Sequence, residues 1–284
     1  MKTIAKYASL VKFPHTIFAM PFALMSYAFA VKLTGSFSWL TLGGVLLCLV
    51  FARNAAMSFN RIIDRHIDAR NPRTASREIP AGAIPLRNAV WFCAVNCALL
   101  IVVAALINPL AGWLSPVALL VLLGYSFTKR FTWASHLVLG LALAIAPVGA
   151  WIAVTDTISL FSLILAGVVI TWIGASDVLY SLQDRDFDHE QGLHSVPARF
   201  SVGWSLAISA LLHAVSIAGV VLIGALFING WLYWLGVGIF VATLIVQHIL
   251  STPSRLSRIG PTFTLINGLA SICYSLFAVL EMLR

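Results

Sequence analysis

The sequence predicts an all-α integral membrane protein built from nine transmembrane helices. Of its 284 residues, 60% are hydrophobic and only 10% charged, and mean hydropathy is +0.96, whereas a soluble domain carries roughly 25% charged residues. Water is therefore not the main solvent. The apolar residues fall in long runs, near 13–34, 38–59, 86–107, 112–127, 134–154, 160–181, 202–227, 231–250 and 262–282. Most approach the roughly 20 residues a helix needs to cross hydrocarbon. The runs lack the period-two alternation of a barrel strand, and in lipid only helices or closed barrels satisfy every backbone group.

The first run follows Lys2, Lys6 and Lys12 and is interrupted by Pro14 and Pro21. With Ala28-Phe29-Ala30 it loosely resembles a cleavable secretory signal, but the long approach, the prolines and eight further runs make a retained helix the expectation. The second run carries Arg53 inside it and opens into a loop with Arg65, Arg70, Arg73, Arg77 and Arg87. The fourth ends at Lys129 and Arg130, the sixth leads to Arg185 and Arg199, and the eighth to Arg255 and Arg258. The loops around Asn108, Asp156 and Asn229 carry no Lys or Arg. Alternating helices put all the basic loops on one side, cytoplasmic by the positive-inside rule, with Lys32 and Arg284 as exceptions. The net charge of +8 is then an orientation signal in a lipid bilayer and not a basic stripe, so nucleic acid is not an expected partner. No linker or composition break divides the chain, and residues 1–284 read as one membrane domain.

Acids gather at two places. Asn60, Asp64 and Asp68 are spaced four apart, which on a helix aligns them on one face with about 6 Å of rise per step. After the sixth run Asp184 and Asp188 repeat the spacing, with Asp186 and Glu190 beside them. Each ladder is followed by a polar loop and a similar tripeptide, Ile79-Pro80-Ala81 and Val196-Pro197-Ala198. Four runs separate the copies, which suggests two related helical blocks. Clustered carboxylates repel unless a cation intervenes, and oxygen ligands of this kind suit Mg²⁺, which takes one or two protein carboxylates and completes its shell with water and phosphate. The plainer alternative is a solvated helix end, with Arg61, Arg65 and Arg185 neutralising their neighbours.

The string Asn60-Arg61-Ile62-Ile63-Asp64-Arg65-His66-Ile67-Asp68, followed by Asn71-Pro72-Arg73-Thr74 and Arg77-Glu78-Ile79-Pro80-Ala81-Gly82, resembles the first signature of the UbiA superfamily of intramembrane aromatic prenyltransferases. Tyr180-Ser181-Leu182-Gln183-Asp184-Arg185-Asp186-Phe187-Asp188, with Gly192-Leu193-His194-Ser195, resembles the second. Gly124-Tyr125-Ser126-Phe127-Thr128-Lys129-Arg130-Phe131-Thr132 is similar to the segment between them. The resemblance spans nearly the whole chain. It implies a UbiA-like bundle around a central cavity, with two related four-helix blocks, in a bacterial plasma membrane with the active site toward the cytoplasm. The implied reaction moves a polyprenyl group from polyprenyl diphosphate to an aromatic acid with magnesium as cofactor. Asn60, Asp64, Asp68, Asp184 and Asp188 would hold metal and diphosphate, with Asp64, Asp184 and Lys129 catalytic and Lys129 on the leaving group. Tyr125 and Tyr180 are carried over as substrate-binding. Arg130 is the candidate for the acceptor's carboxylate, because a planar guanidinium grips one in two places; the plainer role for Lys129 and Arg130 is a topology anchor.

Position 61 departs from the pattern, being Arg where many members that use 4-hydroxybenzoate have a second acid. Asn-Arg-x-x-Asp with Asn-Pro-Arg-Thr also resembles the branch serving the futalosine route to menaquinone, which would make a dihydroxynaphthoate the acceptor. His15, His136, His213 and His248 read as packed or interfacial residues, and Cys93 and Cys97 as small buried ones. Arg53 and Asp177 lie inside runs and are candidates to pair with each other or to line the cavity. A carrier is the rival class, but carriers gather ionisable groups near the midplane, whereas these acids gather at run ends. A lipid phosphatidyltransferase is the rival enzyme; its single long acidic stretch is absent.

Overall fold

Apolar runs in lipid fold as helices because each backbone N–H must find its carbonyl within the segment. The computed structural model describes residues 2–12, 19–251 and 259–284; Pro14, His15, Arg255 and Arg258 lie outside the described residues. The helices are α1 Lys2–Leu10, α2 Met20–Thr34, α3 Trp39–Ile63, α4 Arg65–Arg70, α5 Leu86–Ile107, α6 Pro109–Thr128 and α7 Ser135–Thr155, then α8 Leu160–Ser181, α9 Arg185–Glu190, α10 Val196–Arg199, α11 Val202–Leu226, α12 Trp231–Leu250 and α13 Ile259–Leu283. Among the described residues eight helices are long and apolar enough to cross a membrane. The expected first span is shorter among the described residues. There α2 has 15 residues, about 22 Å of rise, and Pro21 sits in its first turn, where a missing N–H costs nothing. The described residues therefore give eight spans and one shorter apolar helix, not nine full spans.

The helices group into two compact units, one built on Trp39–Phe127 with α1, the other joining α2 to Thr128–Arg284. In the first unit α3 packs along α5. Asn54 Nδ2 donates to Asn96 Oδ1 at 2.9 Å, and Asn96 Nδ2 donates to the Phe92 carbonyl at 2.8 Å, so neither amide is left bare in an apolar setting. α1 is tied to the loop before α5. Lys6 Nζ donates to the Ala83 carbonyl at 3.1 Å, the Ser9 hydroxyl bonds the Glu78 carboxylate, and Leu10 packs with Ile62, Ile84, Ala89 and Cys93.

The second unit is organised around α8, the most deeply covered of the long helices. Phe22, Phe29, Trp151, Phe161, Trp172, Phe240 and Tyr274 form its aromatic core, with the Phe29 and Phe161 rings 4.3 Å apart. α7 approaches α8 so closely that a Cβ at Gly140 would overlap the Ile170 backbone. Exposed Leu40, Leu106 and Trp113 sit on faces that suit acyl chains.

Candidate active site

The first ladder is built where α3 gives way to α4. Asp64 is the junction, at φ −89° and ψ 5°, the sparsely populated bridge region where active-site residues recur. The break does not disturb the ladder. Asp64 N–H still bonds the Asn60 carbonyl at 2.9 Å and Asp68 N–H the Asp64 carbonyl at 2.8 Å, and Asn60 Nδ2 donates to Asp64 Oδ2 at 2.9 Å. One turn on, Asp68 is 5% exposed. Its Oδ1 accepts from Arg77 at 2.6 Å, while the Arg61 guanidinium stands 4.0 Å from Oδ2. The Asn-Pro-Arg-Thr stretch folds the loop back onto the ladder. Asn71 Oδ1 accepts from Arg73 N–H at 2.9 Å, and the Thr74 hydroxyl donates to the Asp68 carbonyl at 3.0 Å.

The second ladder repeats the break. α8 tightens into a 3-10 turn over Leu182–Asp184, and Asp184 sits at φ −101° and ψ 5° before α9, close to the conformation of Asp64. Asp184 and Asp188 are buried while Asp186 and Glu190 face outward, so the spacing of four selects the inward pair. The turn after α9 closes at Gly192, φ 66°, a left-handed position that a side chain disfavours. Leu193 N–H bonds the Asp188 carbonyl at 2.8 Å and His194 N–H bonds the Lys129 carbonyl at 2.7 Å. Lys129 Nζ stands 4.0 Å from Asp188 Oδ2.

Each ladder thus ends in a carboxylate with an unsatisfied oxygen. Asp68 Oδ2 and Asp188 Oδ2 are buried, and neither has a hydrogen-bond partner among the described residues. The cations at 4.0 Å are too far to supply one. A bare buried carboxylate oxygen is costly, and it fits a hard cation such as Mg²⁺. Among the described residues no three His, Cys, Asp or Glu groups could hold a metal ion together.

α6 ends at Thr128, and Lys129 and Arg130 lie in the following turn, with Lys129 half-buried toward Asp188 and Arg130 exposed. Asp177 is held by His136 at 2.6 Å, and Arg53 Nε donates to the Val11 carbonyl at 3.3 Å. His213 and His248 are packed as expected and also bond each other at 3.0 Å. Tyr125 and Tyr180 are half-buried, the latter with its ring 5.7 Å from that of Phe263. Sequence reasoning missed the grip of Arg77 on Asp68, nine positions earlier; its signals were its charge and its place in the string Arg77–Gly82.

As a class this is an integral membrane helical bundle with two acid-bearing helix breaks. The chain belongs to the UbiA prenyltransferase family, whose model matches residues 19–270. It is 31% identical over 247 residues to 4-hydroxybenzoate octaprenyltransferase of Marinobacter nauticus, covering 86% of this chain and 83% of that protein. It is also 31% identical over 215 residues to protoheme IX farnesyltransferase of Colwellia psychrerythraea, covering 73% and 69%. The apo structure of a UbiA homolog from Aeropyrum pernix K1 matches with a TM-score of 0.85 at 30% identity, covering 94% of this chain and 98% of that one.

Proposed function

We propose that this chain transfers a polyprenyl group from polyprenyl diphosphate to an aromatic carboxylic acid in quinone biosynthesis, with magnesium, at the cytoplasmic side of a bacterial plasma membrane. The observation that carries the reading is the repeated helix break, each copy ending in a buried, unsatisfied carboxylate oxygen. Asn60, Asp64, Asp68, Asp184 and Asp188 hold the metal and the diphosphate. Magnesium, when bound, offsets the charge that collects on the leaving diphosphate. Lys129, half-exposed beside Asp188, adds an ammonium to the same leaving group. Tyr125 and Tyr180 contact substrate. Arg130, exposed in the turn after α6, grips the acceptor carboxylate.

Relatives with two different acceptors in their names leave the acceptor to this chain's own residues. The choice favoured here is a 4-hydroxybenzoate-type acid, in line with the Marinobacter relative. A second reading, 1,4-dihydroxy-6-naphthoate in menaquinone biosynthesis, is favoured by Arg61, which is buried and faces Asp68 where a second acid would otherwise stand. Both acceptors are anionic, so Arg130 serves either. Family membership favours an enzyme over a carrier. The purified protein, given Mg²⁺, a prenyl diphosphate and each acid in turn, is expected to form a prenylated acid detectable by mass, with formation abolished by a chelator. Absence of product with both acids contradicts the reading.

A further inference from the structure

Prenylation of an aromatic ring replaces a ring hydrogen, so some base must accept one proton for every bond made. The groups assigned above are unsuited to this. The ladder acids are committed to cation and diphosphate, and Lys129 and Arg130 are themselves cations. Asp177 lies on α8 seven positions before Asp184, about 12 Å nearer the hydrocarbon, and four α-helical steps followed by three steps of the 3-10 turn return it to within about 40° of the same face.

Asp177 has an unusual support. Its Oδ2 lies 2.6 Å from Nδ1 of His136, and Nε2 of that ring accepts the Val196 N–H at 3.1 Å. A ring nitrogen that accepts a hydrogen bond carries no proton, so the proton of the neutral imidazole is on Nδ1 and points at the carboxylate. The imidazole is 1% exposed and the Asp177 side chain 23%. One carboxylate oxygen is therefore held by a buried ring, while the Asp177 side chain as a whole stays partly exposed. This is a base with an orienting group.

We propose that Asp177, oriented by His136, takes the ring proton in the second half of the transfer. The assignment rests on the aromatic prenyl transfer reading. In the first half the C–O bond of the prenyl diphosphate breaks, its electron pair leaving on the diphosphate, and a ring carbon forms the new C–C bond. In the second half the C–H bond at that carbon breaks, its electron pair restores the aromatic ring, and the proton moves to an Asp177 oxygen. It then passes to water as product leaves. His136 is a positioning residue, since it touches only Asp177 and the Val196 amide in this scheme.

The test uses Asp177→Asn, which keeps an oxygen for the Nδ1–H of His136 and so preserves the support while removing the base. In the full-length protein in detergent, transfer is expected to fall by about 10²–10⁴-fold. A ring-deuterated acceptor should slow the variant more than it slows wild type, and affinity for an unreactive prenyl thiodiphosphate should be unchanged. Asp177→Glu, which restores a carboxylate, should recover part of the rate. Wild-type transfer rates in Asp177→Asn overturn the assignment, and so does loss of thiodiphosphate binding together with transfer, because the pair would then be a strut. If wild type itself makes no prenylated ring, the transfer reading fails and takes this assignment with it, an outcome distinct from a failure of Asp177 alone.

Discussion

The two acid ladders share a backbone and differ in what holds them. At the first, Asp68 meets its counter-charge close in sequence: Arg77 of the following loop grips one oxygen at 2.6 Å, Arg61 at the end of α3 stands near the other, and Thr74 closes the turn. At the second, no guanidinium contacts Asp188 among the described residues. Arg185 is spent on the Pro197 carbonyl, and the loop is instead strapped to residues far earlier in the chain, through Lys129 and His136. Similar conformations at Asp64 and Asp184 are thus accompanied by nearby charge compensation in one copy and by hydrogen bonds to residues far earlier in the chain in the other. The first ladder should tolerate the absence of a cation better than the second.

The largest expected effect concerns what the ladders share. Asp64→Asn and Asp184→Asn should each lower transfer about a hundredfold or more, because each removes charge stabilisation of the leaving group, while the proteins stay folded in detergent. Near-normal turnover by either variant at saturating Mg²⁺ would show that only one ladder is used.

A smaller effect sharpens the contrast. Arg77→Ala strips the first ladder of its internal counter-charge, at a cost of about 1–3 kcal/mol. Without metal its thermal midpoint should drop below that of wild type, and added Mg²⁺ should raise the midpoint of the variant more than that of wild type, since a cation then replaces the guanidinium. Equal Mg²⁺ shifts in the two proteins would mean that Arg77 and the metal do not serve the same carboxylate.

The smallest effects separate Lys129 from Arg130. Lys129→Ala should mainly lower kcat, because charge on the diphosphate grows in the transition state, whereas Arg130→Ala should mainly raise KM for an acceptor that is anionic when it binds. An acceptor analogue without the carboxylate should lose little on going from wild type to Arg130→Ala. An equal penalty for acid and analogue removes Arg130 as the carboxylate clamp.

The helices were legible in the sequence because hydrocarbon imposes length and apolarity on every span, and the ladders because a spacing of four survives any smooth helix. The breaks at Asp64 and Asp184 were not, since a single residue moving to the bridge region leaves the spacing untouched. Part of the first expected span, residues 13–18, lies outside the described residues. Asp177 looked like a partner for Arg53 because both are ionisable residues in apolar runs. Its actual partner His136 lies 41 positions away, and only tertiary packing of α7 on α8 brings the two together.

The most direct test counts metal ions. With an unreactive prenyl thiodiphosphate bound, Mn²⁺ can replace Mg²⁺ as a paramagnetic reporter, and bound ions per chain can be measured in wild type, Asp68→Asn and Asp188→Asn, the two residues with an unsatisfied buried oxygen. Each variant is expected to bind fewer ions than wild type, and the double variant none. Full metal occupancy in both single variants would contradict metal binding by the two ladders.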